Sequence, residues 1–331
     1  MGPLNINVIR EKQIDSSPLA DKNIAVIGYG SQGRAQALNL RDNGYDPIVG
    51  LPVKSRSRRF VRQDGINFTT PAKAVKKADI IVILIPDHKH KELFERDIDK
   101  AIKREQTFIF AHALSVHFKL IKQPTGVDFV LVAPHGPGLR LRERFKDGKG
   151  ITAFIGRTDD SSKDSLKTAA AYAKAIGCAR AGLMITDFAD EAIGDIFGEQ
   201  AVLCGGLSAL LKAGFDSLVK SGISPENAYL ECVYQLDLIV DLIKKFGIHG
   251  MYEKISTTAA LGGLAVESEI INKQSRGAMQ SILDKIVSGK FTDELMADYG
   301  NSFARLKKYQ KQRRNRILDD MAVLFDKKFS D

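Results

Sequence analysis

The stretch DIFGEQAVLCGG, residues 195–206, reads as helix yet carries acidic side chains among apolar and small neighbours. With the preceding turn it sets Glu191, Asp195 and Glu199 at i, i+4 and i+8, on one helix face. A second helical pattern supplies Glu231, flanked by Leu230 and Cys232. A carboxylate among apolar groups is costly unless paired or metal-bound, and hard divalent cations such as Mg²⁺ take oxygen ligands. The spacing points to a metal site between helices; a salt-bridged or capping face is the alternative it leaves open. Two histidines follow predicted strands, His112 after TFIFA and His135 within VAPHGPG. Both belong at strand carboxyl ends, where open α/β sheets bind their ligands. His117, further into the connection, is expected to be structural or exposed.

A second chemistry-bearing stretch is NIAVIGYGSQGRAQALNL, which puts Gly28, Gly30 and Gly33 in G-x-G-x-x-G spacing between a predicted strand and a predicted helix. The glycines permit a tight turn and close backbone approach, so a pyrophosphate can sit on the free N–H groups of the helix N-terminus. About twenty residues later an NAD site usually shows an acidic residue for the ribose 2′-hydroxyl. Here the chain reads VGLPVKSRSRRF, with Lys54, Ser55, Arg56, Ser57, Arg58 and Arg59 and no carboxylate. That composition attracts a 2′-phosphate and favours NADP, a solvated basic loop being the alternative.

These residues need a scaffold, and its pattern is legible. From residue 23 to about 185, candidate strands NIAVIG, DPIVGL, DIIVILI, TFIFA, FVLVA and ITAFIG alternate with helical runs such as 31–43, 71–78 and 160–176. Continuous apolar strands separated by helices predict a parallel sheet covered on both faces. Beyond about 186 only helical patterns remain, near 189–214, 228–247, 273–288 and 302–328, with Gly247 suited to end the second. The expected organisation is an α/β Rossmann domain over 1–185 followed by an all-α domain over 186–331.

Composition narrows the classes. Three cysteines without metal-ligand spacing argue for a reducing compartment, the cytoplasm by default. No secretory signal is recognisable, and the longest continuous apolar run, DIIVILIP, is strand-sized, so no membrane partner is expected. The net charge of +9 comes mainly from KSRSRR at 54–59 and KKYQKQRRNR at 307–316. Two separate basic runs without interleaved aromatic platforms make nucleic acid a poor partner.

At these residues the chain resembles ketol-acid reductoisomerase. VIGYGSQGRAQALNLRDNG, IPD, FAH, VAP before GPG, FGEQAVLCGG, ECVYQLDLIVDLI and ISTTA occur in that family's order, and FGEQAVLCGG is a highly specific signature. The length is similar to the short-chain class, whose Rossmann domain precedes a knotted helical domain completed by dimerisation. The resemblance implies Mg²⁺-dependent alkyl migration in 2-acetolactate or 2-aceto-2-hydroxybutyrate, then NADPH reduction to the 2,3-dihydroxy acid of branched-chain amino-acid synthesis. It implies two Mg²⁺ ions held by Asp195, Glu199, Glu231 and Gln235, with Ser256 on the substrate. His112, His135, Glu199 and Gln235 would be catalytic. Tyr29, Ser31, Gln32, Pro86, Asp87 and Gly138 would join Gly28, Gly30, Gly33, Lys54, Ser55, Arg56 and Ser57 around NADPH. The expected assembly is a homodimer or a higher assembly of dimers.

The chain departs from the family at Gln235, where a second glutamate is usual, and at His135, where lysine is usual before GPG. Ala113, Leu114, Leu139 and Ala260 depart as well. Gln235 keeps an oxygen donor without its charge, and His135 exchanges a fixed ammonium for a group with an ordinary pKa of ~6.5. Two further readings therefore stay open at this point. One is a paralogue that reduces a 2-keto acid without migration; the other is a catalytically inert NADP-binding protein.

Overall fold

Short runs rich in β-branched and aromatic residues form eight strands of one sheet in the computed structural model, which describes residues 6–329. They are β1 (Ile24–Ile27), β2 (Ile48–Gly50), β3 (Phe68–Thr69), β4 (Ile80–Ile83), β5 (Thr107–Phe110), β6 (Asp128–Pro134), β7 (Ala153–Arg157) and β8 (Leu183–Ile185). Between them lie α1 (Ser31–Asp42), α2 (Arg58–Gln63), α3 (Pro71–Lys77), α4 (His90–Leu93), α5 (Leu114–His117), α6 (Gly138–Lys146) and α7 (Ser165–Ala175). Sheet order is β3-β2-β1-β4-β5-β6-β7-β8. Every residue of β1, β4 and β5 is buried, which is why those runs show no polar face.

The sheet is mixed, which corrects the expectation of a purely parallel one. β7 runs antiparallel to β6, with Pro134 opposite Ala153 and Val130 opposite Arg157. The connection through α6 returns the chain to the carboxyl end of β6, and a strand that starts there must run backwards. β3 and β8 had no sequence signal because two or three residues cannot display a period.

Two hydrophobic layers cover the sheet. On one face Phe94, Phe108, Phe110 and Phe129 are all buried. The ring centroid of Phe129 lies 4.9 Å from Phe110, 5.7 Å from Phe108 and 6.2 Å from Phe94. On the other face Tyr172, Leu40, Leu141 and Val132 pack together.

The chain divides into two units, Met1–Gly194 and Asp195–Asp331. α8 (Phe188–Phe197) leads into the second, which holds α9 (Gly205–Lys220), α10 (Pro225–Tyr229), α11 (Leu236–Tyr252) and α12 (Thr257–Ile270). α13 (Lys273–Val287), α14 (Lys290–Gly300), α15 (Ala304–Arg313) and α16 (Arg316–Phe329) complete it. Among the described residues no strand follows Ile185. Gly247, at φ 74° and ψ 174°, leaves helical geometry and separates two helical runs within α11, in keeping with its expected place at a helix end. One expected helix limit is corrected. The run expected over 302–328 breaks at Arg314, whose extended ψ of 116° separates α15 from α16.

The helical unit has a small buried core and many exposed apolar side chains. Phe215, Ala228, Tyr229 and Met321 form a buried cluster, while Leu238 and Leu261 are 62% and 72% exposed. The helical run Phe188–Lys220 is long and apolar enough, by length and composition, to cross a membrane, with a mean hydropathy of 1.4 in its best window. Its apolar character is spread over Gly, Ala and Leu around Asp195 and Glu199 rather than gathered in one continuous run.

The aromatic layer generates a stability prediction. Phe129→Ala should cost about 3–5 kcal/mol because the rings around it cannot collapse into the void. Urea unfolding followed by far-ultraviolet circular dichroism should show the midpoint falling, and an unchanged midpoint would refute the packing argument.

Candidate functional site

The sheet order reverses between β1 and β4, so the chain leaves these neighbours in opposite directions and opens a crevice at their carboxyl ends. The glycine turn sits there. Gly28 has φ 106°, and a Cβ on it would lie 2.4 Å from the Leu84 carbonyl oxygen that follows β4. α1 begins with Gly30 as N-cap, without a side-chain cap, which leaves its first N–H groups available to an anion. α6 also starts uncapped, and a Cβ on Gly138 would lie 2.2 Å from the Ser31 carbonyl oxygen. Two helix N-termini therefore meet with no room for a side chain between them.

A cavity of about 580 Å³ opens beside them, its wall including Tyr29, Gly30, Ser31, Ser57 and Gly138. Those five expected cofactor residues are thus brought together. Gln32 acts as a brace, its Nε2 donating to the Gly136 carbonyl at 2.8 Å. Lys54 and Arg56 stand exposed on the basic loop, with Ser55 partly covered. Arg58 has an architectural job: its guanidinium donates to the Leu51 and Pro52 carbonyls, both at 2.9 Å, and holds that loop closed.

The cavity also uses Leu139, one of the positions that depart from the family, and residues that sequence reasoning missed, among them Arg34, Phe60 and Arg142. Arg34 donates to Asp64 through Nε at 2.7 Å and Nη2 at 2.8 Å, and the Tyr29 hydroxyl donates to the same carboxylate at 2.8 Å. The Arg34 hydrogen bonds, with help from Tyr29 and against burial, hold the Asp64 carboxyl below its ordinary range. Burial, reinforced by the bond to Asp64, drives the Tyr29 hydroxyl well above its own. The signal available in the sequence was Arg34, one residue after the third glycine and therefore on the first turn of the phosphate helix.

A second cluster lies past β4 and β5. Asp87 follows β4 through Pro86, and His112 follows β5, as expected for strand carboxyl ends. His112 Nδ1 is 3.4 Å from Asp87 Oδ2, and its Nε2 is 4.0 Å from Glu191 Oε2. Glu191 is 5% exposed, and Oε2 accepts the Ala113 N–H at 2.8 Å. Burial pushes the Asp87 carboxyl up, but the hydrogen bond to His112 and the charges of His112 and His90 outweigh it and leave the value low. His135 follows β6, exposed, with Nδ1 3.1 Å from Thr152 Oγ1 and its ring edge-on to Phe154 at 4.4 Å. His117 is partly covered at the end of α5.

The acidic helices differ from the expectation of buried paired charge. Glu191 is buried, whereas Asp195 and Glu199 are exposed. Regular α-helix also stops between them: Gly198–Leu203 forms a π-turn that contains Glu199, and Leu230–Tyr234 forms another that contains Glu231. Such one-turn widenings re-aim side chains and concentrate at functional sites. The Gln235 amide donates to Glu231 Oε2 at 2.7 Å. Ser256 caps α12, its Oγ accepting the Ala259 N–H at 3.2 Å. Asp195, Glu199, Glu231 and Gln235 offer the oxygen chemistry Mg²⁺ requires. Yet among the described residues no group of three or more His, Cys, Asp or Glu side chains lies close enough to hold a metal ion.

Comparison with known proteins bears on both units. The family model for the acetohydroxy acid isomeroreductase NADPH-binding domain matches residues 18–182, and that for the ketol-acid reductoisomerase C-terminal domain matches 188–321. The chain is 43% identical over 302 residues to the ketol-acid reductoisomerase (NADP(+)) of Methanococcus maripaludis, covering 91% of this chain and 92% of that protein. A solved NADH-preferring ketol-acid reductoisomerase from an uncultured archean superimposes with a TM-score of 0.92 at 34% identity, covering 98% of this chain and all of that one. A semialdehyde dehydrogenase NAD-binding protein from Cupriavidus necator, 14% identical with a TM-score of 0.63, shares the fold alone over 80% of this chain and 98% of its own.

The anchored Asp64 gives a prediction whose sign is set by its lowered folded-state pKa. Its contribution is complete above the ordinary aspartate value of ~3.9 and is lost as pH falls through the lower folded value. Asp64→Ala should reduce Tm at pH 7 by about 2–4 °C, with the gap to the parent protein narrowing near pH 3. Calorimetric melts at both pH values check this, and a gap that widens in acid would contradict it.

Proposed function

We propose that this chain, which belongs to the ketol-acid reductoisomerase family, carries out the NADPH-dependent conversion of 2-acetolactate or 2-aceto-2-hydroxybutyrate in branched-chain amino-acid synthesis, and that its residues divide that work between nucleotide, metal and substrate. One observation supports the proposal above others. The uncapped α1 N-terminus and the Asp87–His112–Glu191 cluster lie along the carboxyl end of one sheet, and Asp195 follows Glu191 by one turn of α8.

In this reading the glycine turn and the α1 and α6 N-termini take the pyrophosphate of NADPH, and Ser57 with the exposed Lys54 and Arg56 takes the 2′-phosphate. The absence of a carboxylate at the end of β2 favours that phosphate over a bare ribose hydroxyl. His112 faces the substrate as the proton-handling group, Ser256 offers its hydroxyl proton, and His135 guards the mouth of the site. NADPH, when bound, supplies hydride; Mg²⁺, when bound, polarises the carbonyl and stabilises alkoxide charge.

Asp195 and Glu199 would hold Mg²⁺, with Glu231 and Gln235 completing the set when two copies pair. The exposed apolar helices and the absence of a metal-binding cluster within one chain, among the described residues, support pairing. A knotted helical domain closed by its dimer partner belongs to this proposal, as does a boundary between functional parts at 185/186. The Gln235 amide keeps Glu231 oriented while adding only a neutral oxygen, so the second Mg²⁺ would be held more weakly. Three free cysteines suit the cytoplasm.

Substrate comparison tests the reading. Purified protein with NADPH and Mg²⁺ should turn over acetolactate as well as the already rearranged 3-hydroxy-2-keto acid. Asp195→Asn should weaken Mg²⁺ binding in calorimetry and slow acetolactate turnover by roughly a hundredfold or more, the scale of several kcal/mol of lost charge stabilisation. If the parent protein reduced only the rearranged acid, the migration step would be lost from the proposal.

A further inference from the structure

We infer that Asp87 is a positioning residue for His112: its carboxylate takes the Nδ1 proton and leaves Nε2 as the nitrogen that exchanges a proton with the substrate. The inference rests on the reading that His112 faces substrate, and it gives Asp87 a role other than contact with the cofactor. The distance of 3.4 Å between His112 Nδ1 and Asp87 Oδ2 is long for a charge-assisted bond. Catalytic hydrogen bonds are often long before substrate binds and tighten afterwards.

The neighbouring histidine removes the competing assignment. His90 is 3% exposed and lies 4.0 Å from Asp87 Oδ1 through its Nδ1. Its two nitrogens already have partners, the Ile85 carbonyl at 3.0 Å from Nε2 and the Ser115 hydroxyl at 2.7 Å from Nδ1. A carbonyl can only accept, so Nε2 carries the His90 proton and Nδ1 accepts from Ser115. Burial, against the nearby Asp87 charge, lowers the His90 pKa and favours the uncharged ring. His90 therefore has no proton to give Asp87, and the imidazole proton that reaches this carboxylate is the one on His112 Nδ1.

Local structure fixes the carboxylate in place. Pro86 ends the extended segment after β4, and Asp87 opens the 3₁₀ turn Asp87–Lys89 that delivers His90 into the core against Phe110. On the other side of the His112 ring stands Glu191, whose Oε2 is engaged by the Ala113 N–H. Of the titratable groups Asp87, Glu191 and His90 near His112, Asp87 lies on the Nδ1 side and Glu191 on the Nε2 side. A carboxylate held against one imidazole nitrogen sets the tautomer and the ring orientation, as with histidines that work through their second nitrogen.

The experiment uses the full-length protein with NADPH and Mg²⁺. Nitrogen-15 spectra of the unsubstituted protein should show His112 protonated at Nδ1, and this measurement stands even if a variant fails to fold. Asp87→Asn should move the proton to Nε2 and lower kcat by about a hundredfold, with KM for the rearranged keto acid and Kd for NADPH within about twofold of the parent. Asp87→Glu, which restores the charge, should recover part of kcat. A His112 protonated at Nε2 in the parent protein, or an Asp87→Asn variant that loses NADPH affinity while keeping kcat, would overturn the inference. His112→Gln separates the underlying reading: if that variant kept full kcat, the role of His112 itself would fall, whatever Asp87 does.

Discussion

The reversal of strand order at β1 and β4 is the constraint on which the rest of the molecule depends. Because β2 lies on one side of β1 and β4 on the other, no crossover covers the carboxyl ends of the central pair. The backbone can use that opening only by coming very close to itself. Gly28 against Leu84 and Gly138 against Ser31 are contacts with no space for a β-carbon. They put the N-termini of α1 and α6 on one cavity, and neither has a side chain to satisfy its first N–H groups. An arrangement with unsatisfied donors is stabilised by an anionic ligand, which is the physical content of a dinucleotide site.

Charge is treated differently at each step along that edge. Near the nucleotide cavity, Asp64 gathers Arg34 and Tyr29 and turns a mobile basic side chain into a fixed wall. At β4 and β5, His112 stands between Asp87 and the buried Glu191, with His90 buried nearby. In the helical unit, Asp195, Glu199 and Glu231 remain exposed, and two of them ride on π-turns. The question raised by acidic residues on an apolar helix thus has two answers. Glu191 is buried because a backbone N–H satisfies it. Asp195, Glu199 and Glu231 are exposed, so they carry no burial cost to be offset.

The pairing of families with this structure explains the division of labour between the units. A protein only 14% identical shares the fold over 80% of the chain, so the fold by itself is not particular to this family. The helical unit carries the narrower signature, FGEQAVLCGG, and most of the exposed apolar surface. A nucleotide site can be built by one chain because backbone N–H groups do most of the binding. A metal site built from long carboxylates on separate helices needs those helices fixed, and the thin core around Phe215 and Tyr229 leaves much of that task to further contacts.

The sequence by itself determined the elements whose signal is local. Six strands, the glycine turn, the helical second half and the placement of His112 and His135 after strands all follow from periodicity and spacing over a few residues. Tertiary structure decided whatever depended on distant partners. β3 and β8 exist because a neighbour pairs with them, and β7 runs backwards because α6 returns the chain to the same sheet end. Arg58 braces the loop backbone, Asp64 captures Arg34 from thirty residues away, and Asp87 meets His112 across two strands. Side-chain roles of this kind are set by which groups the fold brings within hydrogen-bond reach, and no one-dimensional pattern encodes that distance.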